Sequence, residues 1–238
     1  MPAAGWRPSP LARGGETSIG GPGRGVFVTV EGVDFSGKST LVRHLKSIFA
    51  GPESGLPGLY FTREPGGTPA AERIRGVLLD PGLEMEPWTE AYLYAAARAD
   101  HVRREILPRL EAGQSVLCER YLHSSLAYQG AGRGLGMEEV RSLNGRAAAG
   151  AVPDRTFYLR LGAEERALRG REAGTPLDRL ESAGDDFARR VEEGFEELVL
   201  GEPGRIRALD ARRPPEELAQ EVRQEILSLH RAAPGGTV

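Results

Sequence analysis

The stretch that decides the fold reads VFVTVEGVDFSGKS and covers residues 26–39 of this 238-residue chain. A short apolar run rich in β-branched residues, Val26–Val30, precedes a loop with the spacing G-x-x-x-x-G-K-[ST], and a helix-like segment begins at Lys38. Glycines in such a loop let the backbone approach a phosphate closely, and successive N–H groups at a helix N-terminus attract the anion. The order of strand, loop and helix therefore predicts a phosphate-binding loop, or P-loop.

The predicted P-loop gives specific roles to its lysine and its serine. Lys38 would bridge the β- and γ-phosphates of ATP, and the Ser39 hydroxyl would bind Mg²⁺. Lys38 is one of only two lysines among 31 basic residues, which makes its position in the loop informative. A P-loop alone leaves kinases, GTPases and nonenzymatic switches open, although the chain has no N-K-x-D guanine motif. The residues predicted to bind the donor nucleotide are Gly32, Val33, Asp34, Phe35, Ser36, Gly37, Lys38, Ser39 and Thr40.

Beyond the P-loop, short apolar strands alternate with longer amphipathic segments. This alternation predicts an α/β fold in which helices cover a parallel sheet. Further strands are predicted at Leu59–Thr62, Ser115–Cys118, Thr156–Leu161 and Arg205–Leu209. Helices are predicted at Lys38–Ala50, Pro69–Leu79, Thr89–Ala112, Met137–Ala149, Ala163–Gly170, Asp185–Leu200 and Pro215–His230.

Composition divides the chain into three parts. Residues 1–25 are rich in Gly, Pro and Arg without apolar periodicity, which predicts a disordered extension. One globular domain is predicted for residues 26–232, and a flexible tail for 233–238. No apolar run is long enough to span a membrane, and the net charge of -3 does not favour a nucleic-acid polymer as partner. The single cysteine, Cys118, suits a reducing cytoplasm.

Three further stretches carry side chains suited to a nucleotide acceptor, namely Phe61–Thr68, Glu90–Arg98 and Cys118–Gly130. Tyr94 and Arg98 are four residues apart, so on a helix they project from one face. A ring in this position could stack on a base while the guanidinium donates to a base carbonyl.

Other residues near these stretches suit the acceptor phosphate and the base edge. Arg75 and Arg120 carry forked donors that match a phosphate monoester. Gln129 has both a donor and an acceptor and can pair with the edge of a pyrimidine. Glu64 could hold Mg²⁺ or its waters.

Together these segments resemble the thymidylate kinase family in its bacterial form. The resemblance implies the P-loop nucleoside monophosphate kinase fold, with a five-stranded parallel sheet, and a homodimer. A later stretch, Leu168–Glu181, looks like the lid of that family. The family motifs E-G-x-x-x-x-G-K-[ST]-T, T-R-E-P-G-G-T, F-A-A-x-R and D-R-Y-x-x-S-x-x-A-Y-Q-G are matched at Glu31–Thr40, Thr62–Thr68, Tyr94–Arg98 and Arg120–Gly130.

The resemblance also implies how the acceptor base is bound. Tyr94 would stack on thymine, and Arg98 would reach a thymine carbonyl. Gln129, together with Ser125, would contact the base edge.

For the sugar and phosphate, the resemblance implies a second group of roles. Arg75 and Arg120 would hold the acceptor phosphate. Tyr128 would pack where a ribose 2′-hydroxyl would lie, which favours deoxyribose. Asp34 would lie near the sugar 3′-hydroxyl and the metal.

Two positions depart from the family pattern. The aspartate that precedes the arginine of D-R-Y is Glu119 here, so a carboxylate that could bind the metal is kept but lies one methylene further out. Position 35, where some members carry a catalytic arginine, is Phe35. Because a phenyl ring supplies no charge, a catalytic arginine is predicted from the lid, at Arg169 or Arg171.

The resemblance predicts an enzyme that transfers the γ-phosphoryl group of ATP to dTMP, with Mg²⁺ as cofactor. One alternative is another P-loop kinase, for a different nucleoside monophosphate or for a deoxynucleoside. A second alternative is a nonenzymatic ATP-binding paralogue. The 5-methyl group that separates dTMP from dUMP is worth only about 0.8 kcal/mol of burial, so appreciable use of dUMP stays open.

Overall fold

The centre of the molecule is a five-stranded parallel sheet, seen in a computed structural model that describes residues 23–51, 54–56, 58–174, 179–180 and 183–233. Its strand order is β2-β3-β1-β4-β5, so the strand that leads into the P-loop lies in the middle. This arrangement confirms the predicted fold class. The strands are β1 Phe27–Glu31, β2 Tyr60–Arg63, β3 Val116–Glu119, β4 Arg155–Arg160 and β5 Ile206–Asp210.

Helices connect the strands and cover both faces of the sheet. Helix α3 continues through a π-helical turn, Val102–Ile106, into α4, and α5 continues through a second one, Leu126–Gly132. The helices are α1 Lys38–Phe49, α2 Pro69–Leu79, α3 Pro87–His101, α4 Leu107–Glu111, α5 Leu122–Ser125, α6 Met137–Ala148, α7 Ala163–Ala173, α8 Asp185–Gly201 and α9 Pro215–Ala232.

The central position of strand β1 explains why its sequence is mostly apolar rather than alternating between apolar and polar residues. It pairs with β3 on one side and β4 on the other, and all five of its residues are buried. A central parallel strand is covered on both faces, so both sets of side chains must suit a core. Its polar Thr29 is satisfied by a 2.8 Å hydrogen bond with the hydroxyl of Thr156 on β4.

All five predicted strands are present, each within one residue of its predicted ends, and α2 begins and ends where it was predicted. Helix α5 was not predicted from the sequence. This helix is only four residues long, and its N-cap residue, Tyr121, makes no capping hydrogen bond with its own side chain. Its first N–H groups are instead satisfied from another part of the chain, by Glu31.

The predicted domain limits stay predictions. The extension is described from residue 23 on, and there Gly25 donates a 2.9 Å hydrogen bond to the carbonyl of Leu110, while Arg24 lies 3.6 Å from Asp154. These contacts attach residues 24 and 25 to the domain. Residues 1–22, residues 234–238 of the tail, and residues 175–178 and 181 of the lid lie outside the described residues. Within the described ranges, no helix is both long and apolar enough to cross a membrane.

The sheet brings the sequence motifs together at one edge. In a parallel sheet the carboxyl ends of neighbouring strands meet, and ligands bind in the crevice beyond them. The P-loop follows β1, Arg120 follows β3, and Glu64 follows β2, and these three strands are adjacent. Three motifs that are far apart in sequence therefore line one site.

Candidate active site

The P-loop wraps tightly around the start of α1. A Cβ added to Gly32, whose φ is 145°, would lie 2.8 Å from the carbonyl oxygen of Leu159, so only glycine fits there. The Lys38 Nζ donates to the carbonyl of Val33 at 2.6 Å within the loop. Burial lowers the pKa of Lys38 to about 7, because its charge has lost the solvation of water. A phosphate in the loop would restore a strong partner for this ammonium group.

Two oxygen-bearing side chains meet beside Lys38. The Ser39 hydroxyl donates to Glu119 Oε1 at 2.6 Å. Mg²⁺ prefers oxygen ligands and, at nucleotide sites, combines one or two protein groups with the phosphates. No cluster of three or more acidic, His or Cys side chains that could hold a metal exists among the described residues. The oxygens of Ser39 and Glu119, 2.6 Å apart, are of the type that Mg²⁺ prefers.

Asp34, Arg120 and Tyr128 form a hydrogen-bonded cluster between the P-loop and α5. Arg120 donates to an Asp34 oxygen, and the Tyr128 hydroxyl donates to the other oxygen at 2.8 Å. Burial raises the pKa of Asp34, but the positive charges of Arg120 and Lys38 outweigh it and hold that pKa below its usual value. Both oxygens of Asp34 are engaged in this way, and its predicted role at the metal stays a prediction.

Arg120 connects the P-loop to the acceptor side. Its Nη1 donates to the Gly32 carbonyl at 2.9 Å, and its backbone has a φ of 63°, a strained value for a residue with a side chain. Burial opposes its charge, but the Asp34 carboxylate raises the pKa of Arg120 above its usual value. The arginine is therefore a permanent positive charge held at the junction of the two halves of the site.

Glu31, the last residue of β1, orients the start of α5. Its carboxylate accepts hydrogen bonds from the N–H groups of Tyr121, at 2.8 Å, and Ser124, at 3.2 Å, and from the Ser124 hydroxyl at 2.5 Å. No role was predicted for Glu31 from the sequence, although it is the first residue of the matched P-loop motif. The contact ties the P-loop to the helix that carries Ser125, one of the residues predicted to bind the acceptor.

An acceptor cavity lies next to the P-loop, with about 580 Å³ of space that is partly open to solvent. It brings together every residue that sequence analysis assigned to the acceptor. The predicted residues that line it are Asp34, Glu64, Arg75, Tyr94, Arg98, Arg120, Ser125, Tyr128 and Gln129.

Two arginines of the acceptor cavity are suited to an anion. Arg75 Nη1 donates to the carbonyl of Pro65 at 3.1 Å, and both Arg75 and Arg120 line the cavity. Burial lowers the pKa of Arg75, and the nearby charges of Arg63 and Arg120 add to this effect. Bringing like charges together in a partly dry cavity is unfavourable until an anion enters.

Arg98 is held by a buried network. Its Nε donates to Glu64 at 2.8 Å, and its Nη1 donates to Ser125 at 3.0 Å and to Asn144. The other Glu64 oxygen contacts His101 Nδ1 at 3.1 Å. Glu64, which follows β2 and forms a cis bond with Pro65, thus positions Arg98, and its predicted metal role stays a prediction.

The lid arginines face in different directions. Arg169 Nη1 lies 3.9 Å from the position that a Cβ would take on Gly37 of the P-loop, whereas Arg171 lines a surface groove between α7 and α8. Arg166, which sequence analysis did not single out, lines a small cavity with Val33 and Asp34, and its charge lowers the pKa of Asp34. Of the two predicted candidates, Arg169 is the one beside the P-loop.

Phe35 makes an apolar contact with the lid helix. Its ring carbon Cε2 lies 3.3 Å from the position that a Cβ would take on Gly170 of α7. Phe35, at the position where some family members carry a catalytic arginine, therefore packs the P-loop against α7.

The fold and the site define the class of protein, a P-loop kinase of the nucleoside monophosphate type. The family model for thymidylate kinase matches residues 30–222. The chain belongs to the thymidylate kinase family, and it is an ATP-dependent phosphotransferase that phosphorylates dTMP.

Individual relatives agree with this assignment. The chain is 47% identical over 191 residues to the thymidylate kinase of Pelotomaculum thermopropionicum, covering 80% of this chain and 87% of the relative. It is 44% identical over 199 residues to the thymidylate kinase of Deinococcus radiodurans, covering 84% and 95%. The crystal structure of thymidylate kinase from Ehrlichia chaffeensis superposes with a TM-score of 0.64 at 26% identity, covering 84% of this chain and 98% of that one. The resemblance inferred from the motifs is confirmed.

Proposed function

We propose that the chain transfers the γ-phosphoryl group of Mg²⁺–ATP in line to the phosphate of dTMP, giving dTDP and ADP. The observation that carries this proposal is the position of Arg120. It donates to the Gly32 carbonyl of the P-loop while it lines the acceptor cavity with Arg75. One guanidinium therefore lies where two phosphates would meet. The transfer needs no strong general base, because the acceptor phosphate is already an anion at neutral pH.

The residues act by positioning and by neutralising charge. Lys38 and the P-loop N–H groups hold the donor phosphates. Arg75 and Arg120 hold the acceptor phosphate, and Arg166 or Arg169 brings a further positive charge from α7. Positive groups that are fixed before the reaction stabilise the charge of the transferring group without reorganising during it.

The acceptor base would occupy the part of the cavity between Tyr94 and Gln129. Tyr94 offers a ring for stacking, and Arg98 and Gln129 offer polar atoms to the base edge. Tyr128, held by its hydrogen bond to Asp34, would fill the space of a ribose 2′-hydroxyl.

Magnesium is proposed as the cofactor, held by Ser39 and Glu119 together with the donor phosphates. When bound, it would neutralise phosphate charge and orient the γ-phosphoryl group. The 2.6 Å contact between the two side chains supports this pairing, since both oxygens would lie within reach of one ion.

A homodimer in the cytoplasm is proposed for the assembled enzyme. Exposed apolar side chains on and next to α2 and α3, including Val77, Leu83 and Tyr92, suit a subunit contact. The free thiol of Cys118 suits the reducing cytoplasm. Light scattering on the purified protein would measure a mass of two chains; a mass of one chain at micromolar concentration would contradict the dimer.

An acceptor panel tests the proposed reaction. ADP release is coupled to an optical signal and measured with dTMP, dUMP, CMP, AMP and thymidine. We expect dTMP to be best, and dUMP to follow within roughly fourfold if only methyl burial separates them. Thymidine should be inactive, because it offers no phosphate to Arg75 and Arg120. A higher kcat/KM for AMP or CMP than for dTMP would contradict the proposal.

A further inference from the structure

Glu90 of α3 is a fully buried carboxylate to which the reaction described above gives no part. It accepts hydrogen bonds from three directions. Gln129 Nε2 lies 2.8 Å from its Oε1, while Arg133 Nη2 and Arg179 Nη1 lie 2.9 Å and 2.6 Å from its Oε2. Two guanidinium groups balance the buried charge, so a site is built around this one side chain.

The contact with Glu90 fixes which way the Gln129 amide faces. The two ends of a glutamine amide differ chemically, since one donates and the other accepts. A carboxylate offers no donor, so only the Nε2 end of Gln129 can face Glu90. Gln129 is 1% exposed and lines the acceptor cavity. Its Oε1 is therefore the end of the amide that is left to meet a ligand.

Arg98 supplies a donor to the same cavity. Its Nε and Nη1 are used by Glu64, Ser125 and Asn144, and its Nη2 makes no hydrogen bond within the described part of the chain. The cavity wall thus combines a guanidinium donor with an amide acceptor.

This combination matches one kind of pyrimidine edge. Thymine and uracil present a carbonyl oxygen, O4, beside an N3–H donor, which complements a donor and an acceptor. Cytosine presents an amino donor beside an N3 acceptor, which places donor against donor and acceptor against acceptor. Mismatched buried polar groups are costly, because neither can return to water.

We propose that Glu90 is a specificity-determining positioning residue. By locking the Gln129 amide, it makes the cavity accept keto pyrimidines and disfavour the amino pyrimidine. This inference rests on the dTMP kinase function and assigns the source of its selectivity to a residue that need not touch the base.

Arg179, which belongs to the lid segment, connects the same network to α2. Its Nη1 donates to Glu90, and its Nε donates to the carbonyl of Leu78, the penultimate residue of α2. The next residue, Leu180, lines the acceptor cavity. Arg179 and Leu180 therefore lie next to the Glu90 carboxylate that holds the Gln129 amide and next to the acceptor cavity.

The test replaces Glu90 by a group of the same shape that both donates and accepts. In Glu90→Gln, the Gln129 amide can take either orientation. Calorimetry with dTMP and with dCMP, without ATP, gives the ratio of the two Kd values. We expect dTMP to bind roughly tenfold more weakly and dCMP to change little or tighten, so that the preference for dTMP falls at least tenfold. The matched control is Glu86→Gln on the same helix, where Glu86 caps exposed N–H groups and does not line the cavity.

A purely structural role would weaken both ligands alike, so an unchanged ratio overturns the proposal whatever the absolute affinities are. If Glu90→Gln does not fold, Glu90→Asp replaces it. The shorter carboxylate withdraws from Gln129 by one methylene and should lower the ratio to a lesser degree, and an unchanged ratio there also overturns the proposal. A wild-type enzyme without dTMP-dependent ADP release would instead refute the kinase function itself.

Discussion

The acceptor cavity and the donor side of the site are organised differently. In the acceptor cavity, Glu64, Arg98, Ser125 and Gln129 are each at most 4% exposed, and buried partners hold them. On the donor side, Lys38 bonds to a carbonyl of its own loop, and α7 has no fully buried residue.

The contrast indicates which part of the site is ready before substrates bind. A buried network whose members are each held by hydrogen bonds keeps one geometry, which suits discrimination between bases. Lys38, which donates to a loop carbonyl, and Arg169, which donates to Glu165 at 3.0 Å, can exchange those contacts for phosphate oxygens. We therefore expect selectivity to depend on the preformed cavity wall and phosphoryl transfer to depend on contacts that form with ATP.

The largest effect is expected from Lys38→Ala on the donor side. Removing the only ammonium group in the loop should lower kcat by roughly three orders of magnitude, because charge neutralisation dominates phosphoryl transfer. Steady-state ADP release measures the loss, and circular dichroism checks the fold. Lys46→Ala, at the only other lysine and on an exposed position of α1, is the control. Near-wild-type turnover in Lys38→Ala would refute the P-loop assignment.

A smaller effect is expected from the arginines of α7, and it would sharpen the comparison. Arg166→Gln and Arg169→Gln should each lower kcat by roughly ten- to a hundredfold, because both side chains lie beside the P-loop. Arg171→Gln should have a weaker effect, since Arg171 lines the groove between α7 and α8. Single-turnover rates at saturating ATP and dTMP separate these effects from binding, and Arg189→Gln, at an exposed position of α8, is the control. If Arg171→Gln proved the most damaging, α7 would have to rotate during the reaction.

The smallest effect is a dependence of ATP binding on pH. The pKa of Lys38 is about 7 without ligand and should rise when phosphates pair with it. Below pH 7 the lysine is already charged, so its contribution to the affinity for ATP does not change with pH. Above pH 7, binding must take up a proton, so affinity should fall by at most about tenfold per pH unit.

Calorimetry at pH 8 in two buffers of different ionisation enthalpy measures this proton uptake. Lys38→Met should abolish the part that belongs to the lysine. Equal uptake in wild type and Lys38→Met would show that the lysine is charged before ATP binds.

The sequence predicted the sheet and the membership of the acceptor cavity, but not the contacts inside it. Strand positions follow from local hydrophobic patterns, whereas several cavity residues, Ser125 and Tyr128 among them, were predicted only from the resemblance to a family. Roles such as that of Glu31 depend on partners about ninety positions away, which no local pattern reveals.

Glu90 is a partial exception. It stands four residues before Tyr94 and eight before Arg98, so helical spacing alone places it on the face that lines the acceptor cavity. What the sequence could not supply is its partner set, because Gln129, Arg133 and Arg179 come from other segments of the chain.

The contact of Glu31 with α5 has a consequence for the distance between the two reactants. The last side chain of β1 holds the helix that carries Ser124 and Ser125, so a shift of the P-loop would also shift one wall of the acceptor cavity. In a reaction between two bound groups, a misplacement of about 1 Å can cost a hundredfold in rate. We therefore expect the Glu31 carboxylate to keep the distance between the two substrate phosphates constant.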